Sequence, residues 1–376
     1  MLPGGFFCPV IHLCAAGEKP EFGQLHGLTF RDFRLYNGEK EKGMYFRQTE
    51  QSELEEKTVM KKILAILMIL ALAFACGAGA EQMESGDWLY TVNEDGSATI
   101  NMYTGMEGNL AVPAELDGHP VKEIGTGAFA ENYDLLSVVI PEGVEAIGSG
   151  AFEGCECMES ISLPNGLLSI GTMAFCYCSA LKEITIPETV TTLGTNVVDS
   201  CNLITSVRIP NSVVNYSGPP VENLNVPTEI IVSPDHPIFE VVDGCLFDKT
   251  QKKLVAFRVG DLGASYDIPE GTVIIGSDAF QCTSLQHITI PESVKVIEKS
   301  AFGACELLES LTLPEGLVSI GKSAFSNCWE MKSINIPESV TEIGDDIFHG
   351  CTSLIVTVVP GSAAEQYCLE NGIPTK

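Results

Sequence analysis

The sequence has few basic residues. Of its 376 residues, 21 are Lys or Arg and 50 are Asp or Glu, which gives a formal net charge of −29. Because binding to phosphates needs clustered Lys and Arg, the composition argues against a nucleic-acid partner and against anionic membrane surfaces. The six His lack metal-ligand spacing such as H-x-x-x-H, and neither a G-x-S-x-G motif nor a P-loop occurs. The sequence therefore predicts a protein that is not an enzyme and that uses no metal or cofactor.

Long apolar runs are also scarce, and one of them is typical of an export signal. A basic start, an apolar run over 63–75 and a small-residue end predict a bacterial signal peptide over 60–80, cleaved after Ala80. A retained membrane anchor, or a lipoprotein attached through Cys76, are the alternatives. The run is too short for an ordinary span, so we expect a mature chain without one, secreted or on the cell surface. Residues 1–59 are predicted to be untranslated, because of a misplaced start codon, or disordered.

Beyond residue 112 the sequence is built from one repeated unit of about 23 residues. The unit reads P-x-x-V-x-x-I-G-x-x-A-F-x-x-C-x-x-L-x-x-I-x-I, and nine copies start at Pro113, Pro141, Pro164, Pro187, Pro210, Pro269, Pro291, Pro314 and Pro337. The alternation in L-x-x-I-x-I predicts a strand, which the following proline ends. A single unit cannot bury its apolar face, whereas stacked units can, so the pattern predicts a solenoid. Its core would contain a column of Phe129, Phe152, Phe175, Phe280, Phe302, Phe325 and Phe348.

The repeated motif resembles the leucine-rich repeats and, more narrowly, the BspA-type (treponemal-type) leucine-rich repeat family of bacterial surface proteins. The resemblance implies a right-handed solenoid with a parallel β-sheet on one face and short turns, 3-10 or strand segments on the other. It also implies a β-hairpin N-terminal cap and a short helical C-terminal cap. The predicted organisation is a cap over 81–112, five units over 113–232, a protruding β-hairpin insertion over 233–268, four units over 269–359 and a cap over 360–376.

One repeat position is occupied almost entirely by cysteine. We predict a structural column of Asn132, Cys155, Cys178, Cys201, Cys282, Cys305, Cys328 and Cys351. These thiols are expected to be buried and reduced, although stacked cysteines could come within disulfide distance. A straight column does not offer the convergent geometry that a metal needs. Cys157 and Cys176 lie outside the column and either pair with each other or remain as surface thiols. The states of Cys245 and Cys368 stay open.

The outward positions of the predicted strands form two columns of mostly small polar residues. The pattern places Ser137, Ser160 and Ser206 in the first column, which ends at Val356, and Val139 and Ser162 in the second. A flat ladder of this kind is either ordinary solvent-facing sheet or a recognition surface. The candidate ligand contacts are Glu183, Thr185, Arg208, His287, Thr289, Thr312 and Asn335.

The resemblance implies a function in adhesion or protein recognition at the bacterial cell surface, by a monomer whose ligand is a protein or cell-surface component. The alternative is a structural or nutrient-capture scaffold of the cell envelope without a host ligand. Acidic residues recur in the turns after the prolines, as in Glu142 and Glu188, so the partner is expected to be neutral or basic.

Overall fold

The computed structural model describes residues 82–221, 229–257 and 264–376. The predicted export signal and residues 1–59 lie outside this part of the chain. The described residues form a solenoid whose repeats contribute strands to two parallel ladders. The leucine-rich-repeat solenoid that the repeat predicted is therefore confirmed.

The N-terminal cap is an antiparallel meander that continues into the solenoid. Its first three strands pair in order, and the third pairs in parallel with the last. The strands are β1 (Gln82–Ser85), β2 (Trp88–Val92), β3 (Ala98–Tyr103), β4 (Asn109–Ala111), β5 (Glu115–Leu116) and β6 (His119–Ile124). The Tyr90 hydroxyl donates to Asp117 over 2.8 Å and ties the meander to the β5–β6 turn.

The strands before each proline pair in parallel and form what we call the front ladder, which begins at β4. They are β7 (Ser137–Val139), β9 (Ser160–Ser162), β12 (Ser206–Ile209), β14 (Glu229–Val232), β18 (Ser265–Asp267), β20 (His287–Thr289), β22 (Ser310–Thr312), β24 (Ser333–Ile336) and β26 (Ile355–Val358). Residues 182–186 carry no strand, so the ladder is interrupted between β9 and β12.

Two-residue strands after each proline form a second parallel ladder, the back ladder. They are β8 (Ala146–Ile147), β10 (Ser169–Ile170), β11 (Thr192–Leu193), β13 (Asn215–Tyr216), β19 (Ile274–Ile275), β21 (Val296–Ile297), β23 (Ser319–Ile320) and β25 (Glu342–Ile343). Successive turns keep the same register, so equivalent repeat positions lie directly above one another. Any side chain at a given repeat position therefore belongs to a row along the solenoid.

The predicted phenylalanine column fills the space between the two ladders. Phe129 and Phe152 stack with ring centroids 4.8 Å apart, and Phe302 and Phe325 stack at 5.4 Å with an interplanar angle of 6°. Such offset or parallel ring pairs add to the stabilisation from burial alone. Because the spacing of rings matches the spacing of strands, each turn that has a column phenylalanine adds one ring to the core of its part of the solenoid.

A second antiparallel meander divides the solenoid into a first array, ending at β14, and a second array, beginning at β18. It comprises β15 (Phe239–Val242), β16 (Cys245–Asp248) and β17 (Lys253–Ala256), and β17 pairs in parallel with β19. All four residues of β16 are buried. The prediction of a protruding hairpin is therefore wrong, because alternate side chains of these strands pack into the cores of the two arrays. Leu246 and Val255 pack with the first array, whereas Phe247 and Leu254 pack with the second.

A short helix closes the second array. It is α1 (Ala363–Glu370), which begins after Ser362, whose hydroxyl accepts a hydrogen bond from Glu365 N. Ala364 and Cys368 are its buried residues. This N-cap and the apolar contacts hold the helix over the last turn of the solenoid.

The last front strand is shifted by one residue from the predicted register. Ile355 pairs with Ser333, and Val356 pairs with the inward-facing Ile334. Val356 is consequently buried, and its predicted place in an outward column is wrong. The final unit has one residue fewer between Leu354 and its strand than the other units, and the pattern alone did not locate that deletion.

Candidate binding surfaces

Four of the candidate contacts lie together on the front ladder of the second array. Thr289, Thr312 and Asn335 are paired neighbours on β20, β22 and β24, and His287 lies one column away on β20. All four side chains are exposed. The structure thus brings them together on one continuous exposed surface.

The other three candidates lie on the first array, where the front ladder is interrupted. Glu183 and Thr185 are exposed on the segment without strand structure. Arg208 on β12 is exposed as well, and its Nε lies 3.7 Å from Glu188 Oε1. The guanidinium is therefore already partly neutralised within the chain.

The cysteine column is held by one recurring hydrogen bond. In Cys155, Cys178 and Cys201 the thiol donates to the carbonyl oxygen of the column phenylalanine one turn earlier, over 3.0–3.2 Å. Cys305, Cys328 and Cys351 make the same bond in the second array over 3.0–3.2 Å. Asn132, at the start of the column, is buried and accepts from Asp134 N. The column is therefore a structural feature that satisfies backbone carbonyls.

Cys282 does not belong to this column, contrary to the prediction. Its side chain is exposed, and its φ of 58° matches the left-handed residue that precedes the column position in other turns, such as Tyr177 at 60°. Thr283 takes the column position instead: its N–H donates to Phe280 O, and its hydroxyl lies 3.4 Å from Cys305 Sγ. The 22-residue unit lacks a residue after the column position, whereas the sequence reading placed the gap before it.

All eleven cysteines in the described residues are thiols. Burial raises the pKa of Cys155 to about 12, so this thiol stays protonated and unreactive near neutral pH. Burial likewise raises the pKa of Cys176, which is fully enclosed. Cys157 and Cys176 form no disulfide, and Cys245 and Cys368 are buried thiols.

The junction between the arrays contains the buried Asp248 side chain, both of whose carboxylate oxygens accept hydrogen bonds. The Asp248 carboxylate accepts from the Tyr216 hydroxyl and from Thr250 and Gln251 over 2.6–3.0 Å. Burial opposes ionisation of Asp248, but these hydrogen bonds outweigh it and lower its pKa. The carboxylate therefore closes the β16–β17 turn.

The strongly exposed aromatic rings of the described residues all lie in one part of the repeat, which sequence reasoning missed. They are Tyr133, Tyr177 and Trp329, at 54%, 50% and 53% exposure. Each lies in the turn between the phenylalanine column and the next front strand. We call this side of the solenoid the aromatic edge. The signal was present in the sequence as aromatic residues at positions where the repeat has no preferred residue type.

On the first array the aromatic edge contains a notch. Glu131, Gly154 and Tyr177 occupy the same left-handed position in three successive turns, with φ of 56°, 72° and 60°. Gly154 has no side chain, and a Cβ built on it would lie 3.5 Å from Glu131 Cγ. In this row no side chain stands between Glu131 and Tyr177, whose turns are two layers, or about 10 Å, apart.

The part of the chain that the structure describes contains no cluster of His, Cys, Asp or Glu able to hold a metal ion. Among those same residues no helix is long and apolar enough to cross a membrane.

Residues 118–230 and 264–371 match the family described as the BspA type leucine rich repeat region, in six copies. A leucine-rich repeat protein from Eubacterium ventriosum is 21% identical, with 75% of this chain and 78% of that chain covered and a TM-score of 0.59. The pneumococcal vaccine antigen PcpA is 16% identical over 77% of this chain and 96% of that chain, with a TM-score of 0.53.

A leucine rich cell surface protein from Faecalibacterium prausnitzii is 26% identical, with 75% and 89% of the two chains covered and a TM-score of 0.48. No curated protein matches the sequence significantly.

Proposed function

The chain belongs to the BspA-type leucine-rich repeat family, and we propose that it is an exported protein-binding module of the bacterial cell surface. The observation that carries the proposal is the front ladder of the second array, where exposed Thr289, Thr312 and Asn335 are in register on neighbouring strands. A rigid, regular ladder of small polar side chains can contact a large partner surface without an ordering cost. We further propose that the chain is not an enzyme and that residues 60–80 direct its export.

The partner is proposed to be a protein, bound through many contacts of modest strength spread over several turns. The acidic composition favours a neutral or basic partner over a polyanion. The second candidate function, a scaffold of the cell envelope, draws on the same repeat regularity but requires no specific ligand.

Pull-down and cell fractionation test the proposal. Immobilised full chain is exposed separately to host matrix proteins and to cell-wall material, and the captured components are identified. Thr312→Arg introduces a long charged side chain in the middle of the front ladder, and we expect it to weaken capture at least about tenfold, as loss of a central contact does. The matched control is Thr341→Arg, which makes the same change at an exposed residue of the same array beside the back ladder.

Equal capture by both variants would contradict the front ladder as the contact surface. Retention in the envelope, with no matrix protein captured by the unmodified chain, would support the scaffold function instead.

A further inference from the structure

The notch on the aromatic edge differs from the front ladder in shape and in charge. We propose that Tyr133 and Tyr177, on either side of Gly154, bind a Lys or Arg side chain of a basic protein segment. The inference deepens the proposed function, because it assumes a protein partner, but it places this contact on a different surface.

The electrostatics of the first array favour a cationic partner. Residues 82–232 contain three basic residues against 20 acidic ones. Each of the three, Lys122, Lys182 and Arg208, lies within 4 Å of a glutamate carboxylate of another turn. No basic side chain of the described first array is thus left to compensate the remaining carboxylates, and a basic segment would be attracted from a distance.

The local chemistry of the notch fits one cation. Glu131 flanks the opening over Gly154, and Glu156 follows two residues later in the same turn as Gly154. Burial raises the pKa of Tyr133, and the negative charges of Glu131 and Glu156 raise it further. Exposed aromatic faces attract Lys and Arg head groups, and their flat surfaces pack against the apolar stems of those side chains.

The same repeat position has a side chain in two neighbouring turns of the second array, whereas the next turn has Gly350 there. Ala304 and Asn327 adopt φ of 54° and 57° there, and both carry side chains. An asparagine is therefore compatible with the backbone of this turn, and Gly154→Asn should fill the notch while keeping the fold. This variant separates the shape of the notch from its charge, because it changes no ionisable group.

The test measures binding of the full chain to a synthetic peptide of six Arg-Gly repeats by isothermal titration calorimetry in 0.15 M salt. The same peptide with citrulline in place of arginine serves as the neutral probe. We expect the Arg peptide to bind and the citrulline peptide not to bind. Each ring should contribute about two- to fivefold, so Tyr133→Leu with Tyr177→Leu should weaken binding about fivefold or more. Gly154→Asn should weaken it to a similar extent.

Matched variants separate the notch from the general acidity of the chain. Leu168→Ala with Val214→Ala removes exposed apolar side chains beside the back ladder and should leave the affinity unchanged. Replacing Glu131 and Glu156 with Gln should weaken binding more than the same replacement of Glu115 and Glu142, which removes two charges elsewhere in the first array. Thermal unfolding followed by circular dichroism checks that every variant remains folded.

Two results would overturn the inference. One is an unchanged affinity in both the double tyrosine variant and Gly154→Asn. The other is an equal loss from the two glutamate pairs, which would mean that only net charge matters. Failure of the proposed function gives a different result: no protein partner is captured by the chain, yet the Arg peptide still binds at the notch. If partners are captured equally by the double tyrosine variant, the function stands and the notch assignment fails.

Discussion

His236 connects the first array to the second meander through hydrogen bonds, and replacing it should destabilise the junction between the two arrays. The side chain is completely buried. Its Nε2 lies 3.0 Å from Pro210 O, and its Nδ1 accepts from the N–H groups of Ile238 and Phe239 over 3.1 and 3.0 Å. This pattern requires the neutral ring with its proton on Nε2. One side chain thus satisfies three backbone groups, one from the first array and two from the start of the meander.

The magnitude follows from those three groups. A buried polar group left without a partner costs about 1–3 kcal/mol. His236→Asn keeps a short side chain that can accept near the Nδ1 position but cannot reach Pro210, so we expect a loss of about 1–3 kcal/mol. His236→Ala leaves all three backbone groups unsatisfied, and we expect about 3 kcal/mol or more.

The same contacts predict a pH dependence. Burial lowers the pKa of His236 below its ordinary value of about 6.5, and the positive charge of Lys249 lowers it further. The unfolded chain therefore binds a proton at a higher pH than the folded chain does. The stabilisation is complete above about pH 6.5 and decreases as the pH falls from there through the folded-state pKa. Protonation would also place a hydrogen on Nδ1, where it would repel the two backbone N–H groups that now donate to this atom.

Urea unfolding at pH 8 and pH 5.5 measures this effect. The chain has two tryptophans, Trp88 in the N-terminal cap and Trp329 in the second array, so Trp88→Phe and Trp329→Phe provide fluorescence from one array at a time. We expect both arrays of the unmodified junction to unfold together and the two signals to separate in His236→Asn. The free energy of unfolding should fall less between pH 8 and pH 5.5 in His236→Asn than in the unmodified chain. An equal fall in both would refute the assignment of this pH dependence to His236.

Two further predictions concern the core. Alkylation at pH 8 followed by peptide mass spectrometry should label exposed Cys282 long before buried Cys155, whose thiol stays protonated; equal labelling rates in the folded chain would contradict this. Phe302→Ala should cost about 3–5 kcal/mol in urea unfolding, because the ring stacks between Phe280 and Phe325. Phe348→Ala, at the end of the column, should cost less, and an equal loss would argue against the stacking.

The sequence predicted correctly the features that recur in every full-length unit. It misplaced residues in the two units that have a deletion, Cys282 in one and Val356 in the other. The phenylalanine column was predictable because a 23-residue period places each ring above the previous one. A deletion inside a turn, by contrast, leaves the apolar pattern intact on both sides of several possible gap positions. The hydrogen bond from Thr283 N to Phe280 O settles that choice for one unit, and the pairing of Ile355 with Ser333 settles it for another.

The buried hairpin and the notch were not predictable for different physical reasons. Apolar residues on both faces of β16 indicate burial, but the sequence does not reveal that each face meets a separate core. The notch depends on Gly154 and Tyr177 sharing one row with Glu131, which follows from strand register. The front-ladder candidates were placed on exposed strand positions as expected, apart from Glu183 and Thr185, whose segment carries no strand.

The two meanders have a consequence for how such a protein can change over evolution. In each, three antiparallel strands lead into the back ladder through a parallel pairing, and a register shift occurs between the second and third strands. The second meander therefore repeats the plan of the first. A gene segment running from the start of one meander to the start of the next encodes a block whose two ends are compatible. Duplication or exchange of that segment could lengthen the molecule, or combine different recognition surfaces, without exposing a core.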